Sequence, residues 1–226
     1  KEVAPLTPSS AMKISRDENN VIAIPFCDLT IGGETTREMH YYSATDKVFK
    51  YHGFVNGNPW NHAVQFRTNI IDRDTFGINS GYTADYHFTV KGKFDFSAFT
   101  AAIERPALWK VSVNGTEVNA GDGKWVIDRE TGVFRIGHLV KQGDNVISLT
   151  VSPMSIHAEL EPVFVMGDFS VKPAEKGWVI EGPVNNLTEG SWKEQGMPED
   201  ANFGELFHLD PPGDYTVGQL GWCEAA

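Results

Sequence analysis

The chain has 226 residues, of which 41% are hydrophobic and 22% charged, a composition typical of a globular protein and long enough for one large domain or two small ones. Its 19 basic and 30 acidic residues give a net charge of -11. Because no block of basic residues occurs, nucleic acid and anionic membrane surfaces are not expected partners. No run of about 18 apolar residues occurs either, so we expect no membrane insertion.

The chain divides into three predicted parts. Residues 1–12 are expected to form a flexible leader, residues 13–182 a β-sandwich domain, and residues 183–226 a linker with terminal strands that complete this domain or belong to a further sandwich. The chain begins without methionine or an apolar signal core, which favours an excised segment or a mature chain that has lost a signal peptide. Cys27 and Cys223 are far apart in sequence, and the sequence allows either a disulfide or two separate thiols.

The first half of the chain combines one predicted strand with a long loop. Residues 21–31 read as a long strand, in which Pro25 indicates an edge position or a bulge. Residues 32–81 are rich in Gly, Asn, Asp and scattered aromatic residues. We mostly expect a long aromatic-rich loop there, and the sequence also allows a short helix near residues 44–51. Loops of this length are uncommon in compact domains and tend to be functional.

Short strands dominate the second half of the chain. Residues 82–90 alternate between apolar and polar side chains, and Asn114-Gly115 predicts a two-residue hairpin because a type I′ turn needs positive φ at both positions. Residues 162–171 are apolar on both faces, which is typical of a central strand buried on both sides. Strands at roughly 8–12-residue spacing predict an all-β fold, either a β-sandwich or a jelly roll.

Two of these strands carry a resemblance to a known kind of accessory domain. One strand ends in Val-Asn-Gly at residues 113–115, and a later one is introduced by Gly-Asp-Asn at residues 143–145. This order resembles the galactose-binding-domain-like β-sandwiches attached to glycoside hydrolases. Together with residues 159–169 and 190–196, it is similar to the C-terminal region of family 106 α-L-rhamnosidase-like enzymes. The resemblance covers roughly residues 20–196, and the chain departs from the pattern at residues 199–202.

The resemblance implies a function without catalysis in this segment. In that family the catalytic acids lie in a separate barrel domain, and no repeated βα pattern for a barrel occurs here, so no catalytic residue is carried over. The chain would be an ancillary or carbohydrate-binding domain of a secreted, periplasmic or cell-surface bacterial glycoside hydrolase. That enzyme would act on a rhamnose-containing or other plant or algal polysaccharide. Its partners would be a glycan and the other domains of the enzyme.

Two alternatives remain open from the sequence. The chain could itself be a small β-sandwich glycoside hydrolase or lyase, or it could be a structural spacer between domains. A spacer predicts an exposed apolar patch where a neighbouring domain docks.

Tryptophans are the first candidates for a glycan site, because the indole face stacks on the C–H face of a sugar while still half exposed. Trp60 lies in a polar loop beside Asn61, and we add Asp46 as a polar contact. Trp125 and Trp192 are further candidates, and Trp60 has the alternative role of a plug in the core. By its strand alternation Trp109 belongs to the core.

Acidic residues form the second candidate site. His157, Glu159 and Glu161 occupy alternate positions, which on a strand share one face at about 6.5–7 Å spacing. Such carboxylates suit glycoside hydrolysis, and the trio could also hold a metal, with calcium the possible ion. A solvated strand face is the alternative. Asp168 stands in the apolar run of residues 162–171, so we expect a buried acid that pairs with Arg105 or Arg135, or that contacts calcium or a ligand.

Overall fold

The computed structural model describes residues 12–16, 19–121, 123–175, 177–184, 186–187, 205–207 and 215–219. One α-helix, α1, spans Tyr41–Tyr51 within these ranges. The strands, in chain order, are β1 (Met12–Arg16), β2 (Asn20–Ile24), β3 (Phe26–Ile31), β4 (Glu34–His40), β5 (Tyr82–Val90), β6 (Thr100–Glu104), β7 (Lys110–Val113), β8 (Thr116–Val118), β9 (Thr131–Arg135), β10 (Gly143–Val151), β11 (Val163–Gly167), β12 (Ser170–Pro173), β13 (Trp178–Glu181), β14 (Asn186–Leu187), β15 (Glu205–Phe207) and β16 (Tyr215–Gln219).

Two mostly antiparallel sheets form an all-β sandwich, which confirms the predicted fold class. The large sheet has eight strands in the order β12-β13-β5-β10-β7-β8, with β3 also paired to β5 and β4 paired to β3. The small sheet has four strands in the order β2-β11-β6-β9. Among the described residues, no helix is long and apolar enough to cross a membrane.

The first strand and the last three strands in chain order pair with one another. Their order is β14-β1-β16-β15, with β1 and β16 parallel. These strands therefore form a sheet of their own, and among the described residues none of its strands pairs with a strand of the sandwich.

Strand alternation builds the core between the two sheets. In β5 and β10 every second side chain is buried, as the sequence predicts for residues 82–90. Trp109 is also buried, as expected. Inward-facing side chains of the small sheet meet them from the other side, among them Ile22, Ala101, Ile103, Phe134, Val163 and Val165. Burial of this contiguous apolar surface is the main source of the stability of such a sandwich.

The predicted strand over residues 21–31 is two strands in different sheets. β2 pairs with β11 in the small sheet, and β3 pairs with β5 in the large one. Pro25 lies at the switch, where the missing N–H of proline interrupts no ladder. Pro25 correctly marks the place where the strand is interrupted, but the interruption is a change of sheet and not the predicted edge position or bulge. A proline is compatible with each of these.

The apolar run over residues 162–171 was also misread as one strand. It contains β11 of the small sheet and β12 of the large sheet, joined by a turn at Asp168 and Phe169. Burial in β11 alternates, so this strand is not buried on both faces. Asp168 is exposed in the turn, which corrects the expectation of a buried acid. The run looked apolar on both faces because the chain changes sheets in its middle.

The region over residues 32–81 is more ordered than the expected loop. β4 and α1 occupy residues 34–51, and three short 3-10 turns follow at Pro59–Asn61, Arg67–Asn69 and Ile71–Arg73. The short helix that the sequence allowed near residues 44–51 forms and begins earlier, at Tyr41, where a loop was the main expectation. Its buried side chains, which lie on one face, are Ala44, Thr45, Val48 and Phe49.

The two motifs that carry the resemblance contact each other in the fold. Asn114 and Gly115 form the predicted hairpin turn with φ of 50° and 84°. Asn114 donates from Nδ2 to Oδ1 of Asn145 at 2.9 Å, and its own Oδ1 accepts from the backbone N–H of Val146 at 3.1 Å. Asn145 is buried, and its Oδ1 also accepts from the N–H of Lys141 at 2.9 Å. The pair of motifs is therefore one hydrogen-bonded corner of the sandwich.

Candidate functional site

An irregular segment at one end of the sandwich carries most of the predicted acidic site. Residues 156–161 lie between β10 and β11 and form no strand, which corrects the strand expected there. Side chains satisfy the backbone carbonyls that a ladder would otherwise have paired. Five side chains each donate to one backbone carbonyl oxygen of the segment. The pairs, donor first and the residue of the accepting carbonyl second, are Trp60 Nε1 and Ile156 (2.7 Å), Arg105 Nη1 and His157 (2.9 Å), Tyr82 Oη and Ala158 (2.6 Å), Thr45 Oγ1 and Leu160 (3.2 Å), and Tyr86 Oη and Glu161 (2.8 Å).

These donors fix the segment and the direction of its side chains. Burial raises the pKa of Tyr82 and Tyr86 well above the usual value, so both hydroxyls keep the protons that they donate. Residues 158 and 160 are buried, whereas residues 157, 159 and 161 are half-buried. The sequence thus separated the polar from the buried positions correctly, but the spacing of about 6.5–7 Å belonged to a strand that does not form.

Four charged residues meet at this end, and we call Glu104, Arg105, Glu159 and Glu161 the carboxyl cluster. Nη1 of Arg105 lies 3.3 Å from Oε2 of Glu159, and Nε lies 3.6 Å from Oε1 of Glu104. Asn58 donates from Nδ2 to Oε1 of Glu159 at 2.7 Å. One guanidinium therefore serves a cluster that contains three carboxyl groups.

The cluster holds a proton near neutral pH. Burial, reinforced by the charges of Glu104 and Glu159, raises the pKa of Glu161 to about 7, against the opposing effect of Arg105. Burial also raises the pKa of Glu104. Glu159 instead accepts hydrogen bonds on both of its oxygens. Two neighbouring carboxyl groups in different environments are the usual basis of paired acid and base roles.

A metal site does not form from these residues. Across the part of the chain that the structure describes, no three His, Cys, Asp or Glu side chains are grouped so as to hold one ion. The trio of His157, Glu159 and Glu161 is therefore not a preformed calcium or zinc site. Glu159 is engaged by Arg105 and Asn58 instead.

Trp60 is built into the end of the sandwich. Its ring stacks on the imidazole of His157, with centroids 5.5 Å apart and an interplanar angle of 29°, and its N–H bonds the carbonyl of Ile156. It is half-buried and packs against the core, which favours the role of a plug. Asn61, the next residue, is exposed.

Asp46 holds the turn that precedes Trp60. Its Oδ1 accepts from the backbone N–H of Asn58 at 3.1 Å, and its Oδ2 lies 2.6 Å from Nζ of Lys50. These contacts hold the pKa of Asp46 below its usual value, and the contact with Lys50 contributes most. Gly57 leaves room for this carboxylate, because a Cβ there would lie 1.5 Å from Oδ1. The carboxylate is thus committed to the turn.

A groove on the outer face of the small sheet contains Trp125, which is 52% exposed. The cavity has a volume of about 560 Å³. It is lined by Asn19, Val21, Thr100, Gly123, Lys124, Trp125, Val126, Val133 and Met166. The structure thus separates Trp125 from Trp60, which belongs to the other site. Trp192 lies outside the described residues, as does Cys223, while Cys27 is buried.

Sequence reasoning missed the polar groups of both sites. No sequence pattern near Asn58 or Glu104 marks either residue as part of a site. Asn58 contacts Glu159, about a hundred positions away, and Glu104 acts on Glu161, about fifty positions away. Arg105 was considered only as a partner for Asp168, whereas it contacts Glu104 and Glu159. Of the polar residues that line the groove, Lys124 is adjacent to Trp125 in sequence and could have been inferred from it.

Comparison with protein-family models, curated proteins and solved structures finds no match.

Proposed function

We propose that the chain is a non-catalytic glycan-binding domain and that the groove beside Trp125 is its binding site. The observation that carries this proposal is a half-exposed indole at the wall of an open cavity. An exposed large aromatic side chain in a concave site is typical of small-molecule and sugar recognition. Stacking on an indole buries the C–H face of a sugar and leaves its hydroxyls in water.

The wall of the groove is held in place by backbone hydrogen bonds. The carbonyl of Lys124 accepts from the N–H of Val133 at 3.1 Å, and Val126 donates to the carbonyl of Thr131 at 3.1 Å. Trp125 itself forms a β-bridge with Gly132. The indole is therefore carried by a segment attached to β9 on both sides. A preorganised platform of this kind loses little conformational entropy when a ligand binds.

The floor of the groove suits the apolar face of a sugar ring. Val21 and Met166 are direct cross-strand partners in the small sheet, and Met166 also faces Thr100. Side chains on this outer face alternate with the buried core positions of the same strands. The resulting floor offers apolar contact with one hydroxyl, so a ligand gains most by laying C–H groups on it.

The wider context of the proposal comes from the resemblance. On that basis the domain is an ancillary part of a secreted bacterial glycoside hydrolase that acts on a rhamnose-containing or other plant or algal polysaccharide. The other domains of that enzyme are its second class of partner.

Affinity electrophoresis of the purified chain on a panel of polysaccharides tests the proposal. We expect retardation by at least one glycan and its loss in Trp125→Ala. Phe66→Ala is the matched control, because Phe66 is 60% exposed and does not line the groove. Trp60→Ala tests the other end of the sandwich. Retardation by none of the glycans, or retardation that Trp125→Ala leaves unchanged, would contradict the proposal.

The carboxyl cluster favours a second candidate function, a glycoside hydrolase. Glu161 is a carboxyl group that stays protonated to about pH 7, and Glu159 lies two residues away with Arg105 against its carboxylate. This is the division into general acid and carboxylate that glycoside hydrolysis requires. Hydrolysis of a chromogenic glycoside that disappears in Glu161→Gln would favour it. Activity that persists in that variant, or no activity on any glycoside, would eliminate it.

A further inference from the structure

We propose that the ligand of the groove is an anionic glycan whose carboxylate or sulfate group is bound by Lys124. This inference rests on the proposed glycan-binding function and names the class of sugar. Among the described residues that line the groove, Lys124 is the one with a charged side chain.

The polar side chains of the groove are Asn19, Thr100 and Lys124. Among its described lining residues there is no carboxylate. Lys124 is exposed and lies next to the stacking platform of Trp125. An ammonium group has three donors and no acceptor, so the ligand atom that meets it must be an acceptor.

The described lining residues do not favour a glycan recognised mainly through its hydroxyls. A sugar hydroxyl that enters an apolar groove needs an acceptor for its proton, and a carboxylate is the strongest acceptor that a protein offers. Among the described residues that line the groove, Asn19 and Thr100 are the ones with side-chain oxygens. A uronate or a sulfated sugar changes the balance, because it brings its own negatively charged acceptor to the ammonium of Lys124.

The apolar floor strengthens this selection. Val21, Val133 and Met166 cannot bond to hydroxyls, so a ring on this floor places its C–H face downward and directs polar substituents toward the rim. Lys124 stands in the wall formed by residues 123–126. A sugar that stacks on Trp125 therefore presents a charged substituent to the neighbouring lysine.

The net charge of the chain means that an anionic glycan has to be held by direct contact with Lys124 and not by long-range attraction. The net charge of -11 gives a polyanion no long-range attraction to the protein. At physiological salt the Debye length is about 8 Å, so repulsion from distant carboxylates is screened while a direct contact is not. Recognition of an anionic glycan must then depend on the cation that touches it. Replacing one lysine should consequently have a large effect.

Titration calorimetry with matched oligosaccharides tests the inference. One arm compares oligogalacturonate with its methyl ester, and the other compares a sulfated galactan oligosaccharide with its desulfated form. We expect the charged member of at least one pair to bind about tenfold more tightly than its neutral partner. The arm that shows the difference identifies uronate or sulfate as the source of the charge.

Variants of the lysine separate this inference from the proposed function. Lys124→Gln should abolish the preference for the charged member, and Lys124→Arg should restore that preference. Lys93→Gln is the control, because Lys93 is exposed and outside the groove. Equal affinity for charged and neutral members, or an equal loss on both in Lys124→Gln, overturns the inference alone. Absence of binding to every oligosaccharide also overturns the inference alone, because glycan binding itself is tested on the polysaccharide panel. Binding unchanged by Trp125→Ala overturns the proposed glycan-binding site as well.

Discussion

The carboxyl cluster and the groove are built in opposite ways. At the cluster, side chains bond five backbone carbonyls of residues 156–161, and Glu159 has a donor on each oxygen. At the groove, backbone bonds hold the wall, and the side chains of Lys124 and Trp125 extend into solvent. Polar groups that already have partners stabilise the fold, whereas exposed groups on a rigid support are available to a ligand. Substitutions at the two regions should therefore have different effects.

Removing the guanidinium should have the largest effect on stability. Arg105→Met leaves the carbonyl of His157 and the Oε2 atom of Glu159 without their donor, while Asn58 still donates to Oε1. We expect the free energy of unfolding to fall by about 2–3 kcal/mol, since breaking a partly buried ion pair leaves a charge uncompensated. Urea unfolding measures it, with the exposed Arg129→Met as the control. A loss as small as that of the control would show that the guanidinium is not structural.

Asn58 should come next in effect. It is 4% exposed, accepts from the N–H of Trp60 at 3.1 Å and donates to Glu159 at 2.7 Å. Asn58→Ala should lower the free energy of unfolding by about 2 kcal/mol, because it removes a cap and a bond to a charged group. The exposed neighbour Asn61→Ala should change it by less than about 0.5 kcal/mol. Equal effects of the two substitutions in thermal unfolding would contradict the hydrogen-bonded role of Asn58.

The proton on Glu161 predicts a pH dependence of stability. Burial keeps this carboxyl group protonated to about pH 7 in the folded protein, against an ordinary value of 4.5. Its stabilising contribution is therefore complete below pH 4.5 and is lost as the pH rises to about 7. Glu161→Gln remains neutral, so its stability relative to the native chain should increase between pH 4.5 and 7 and level off above.

The size of that change is limited by solvent. Because the carboxyl group is only partly buried, we expect about 1 kcal/mol between pH 4.5 and 8, well below what the shift in pKa alone implies. Denaturant unfolding at several pH values measures it, with exposed Glu34→Gln as the control. A stability difference between Glu161→Gln and the native chain that does not vary with pH would show that Glu161 ionises normally.

The sequence predicted local features well and long-range partners poorly. The hairpin at Asn114, the alternation of residues 82–90 and the short helix all follow from the preferences of adjacent residues. Pro25 and Asp168 mark places where the chain moves from one sheet to the other. Such a switch cannot be predicted from periodicity, because each half alternates correctly within its own sheet.

The side-chain partners at the two sites were also not predictable from the sequence when they are distant in the chain. His157, Glu159 and Glu161 were recognised as a group because they are adjacent in sequence. Their partners Asn58 and Arg105 come from elements about a hundred and about fifty residues away, and only the fold brings them together. The exposures of Trp60 and Trp125 differ for the same reason, since burial depends on what the rest of the chain places against each indole.

The two tryptophans provide the finest test of the comparison. Trp60→Phe keeps a ring beside His157 but removes the donor to the carbonyl of Ile156. We expect a loss of about 1 kcal/mol in the free energy of unfolding and no change in glycan affinity. Trp125→Phe shrinks an exposed platform, so it should weaken glycan binding a few-fold and leave stability within about 0.5 kcal/mol. If Trp60→Phe weakened binding and Trp125→Phe did not, the binding site would lie at the carboxyl cluster. Because both substitutions replace indole with phenyl, the result would reflect the position of each ring.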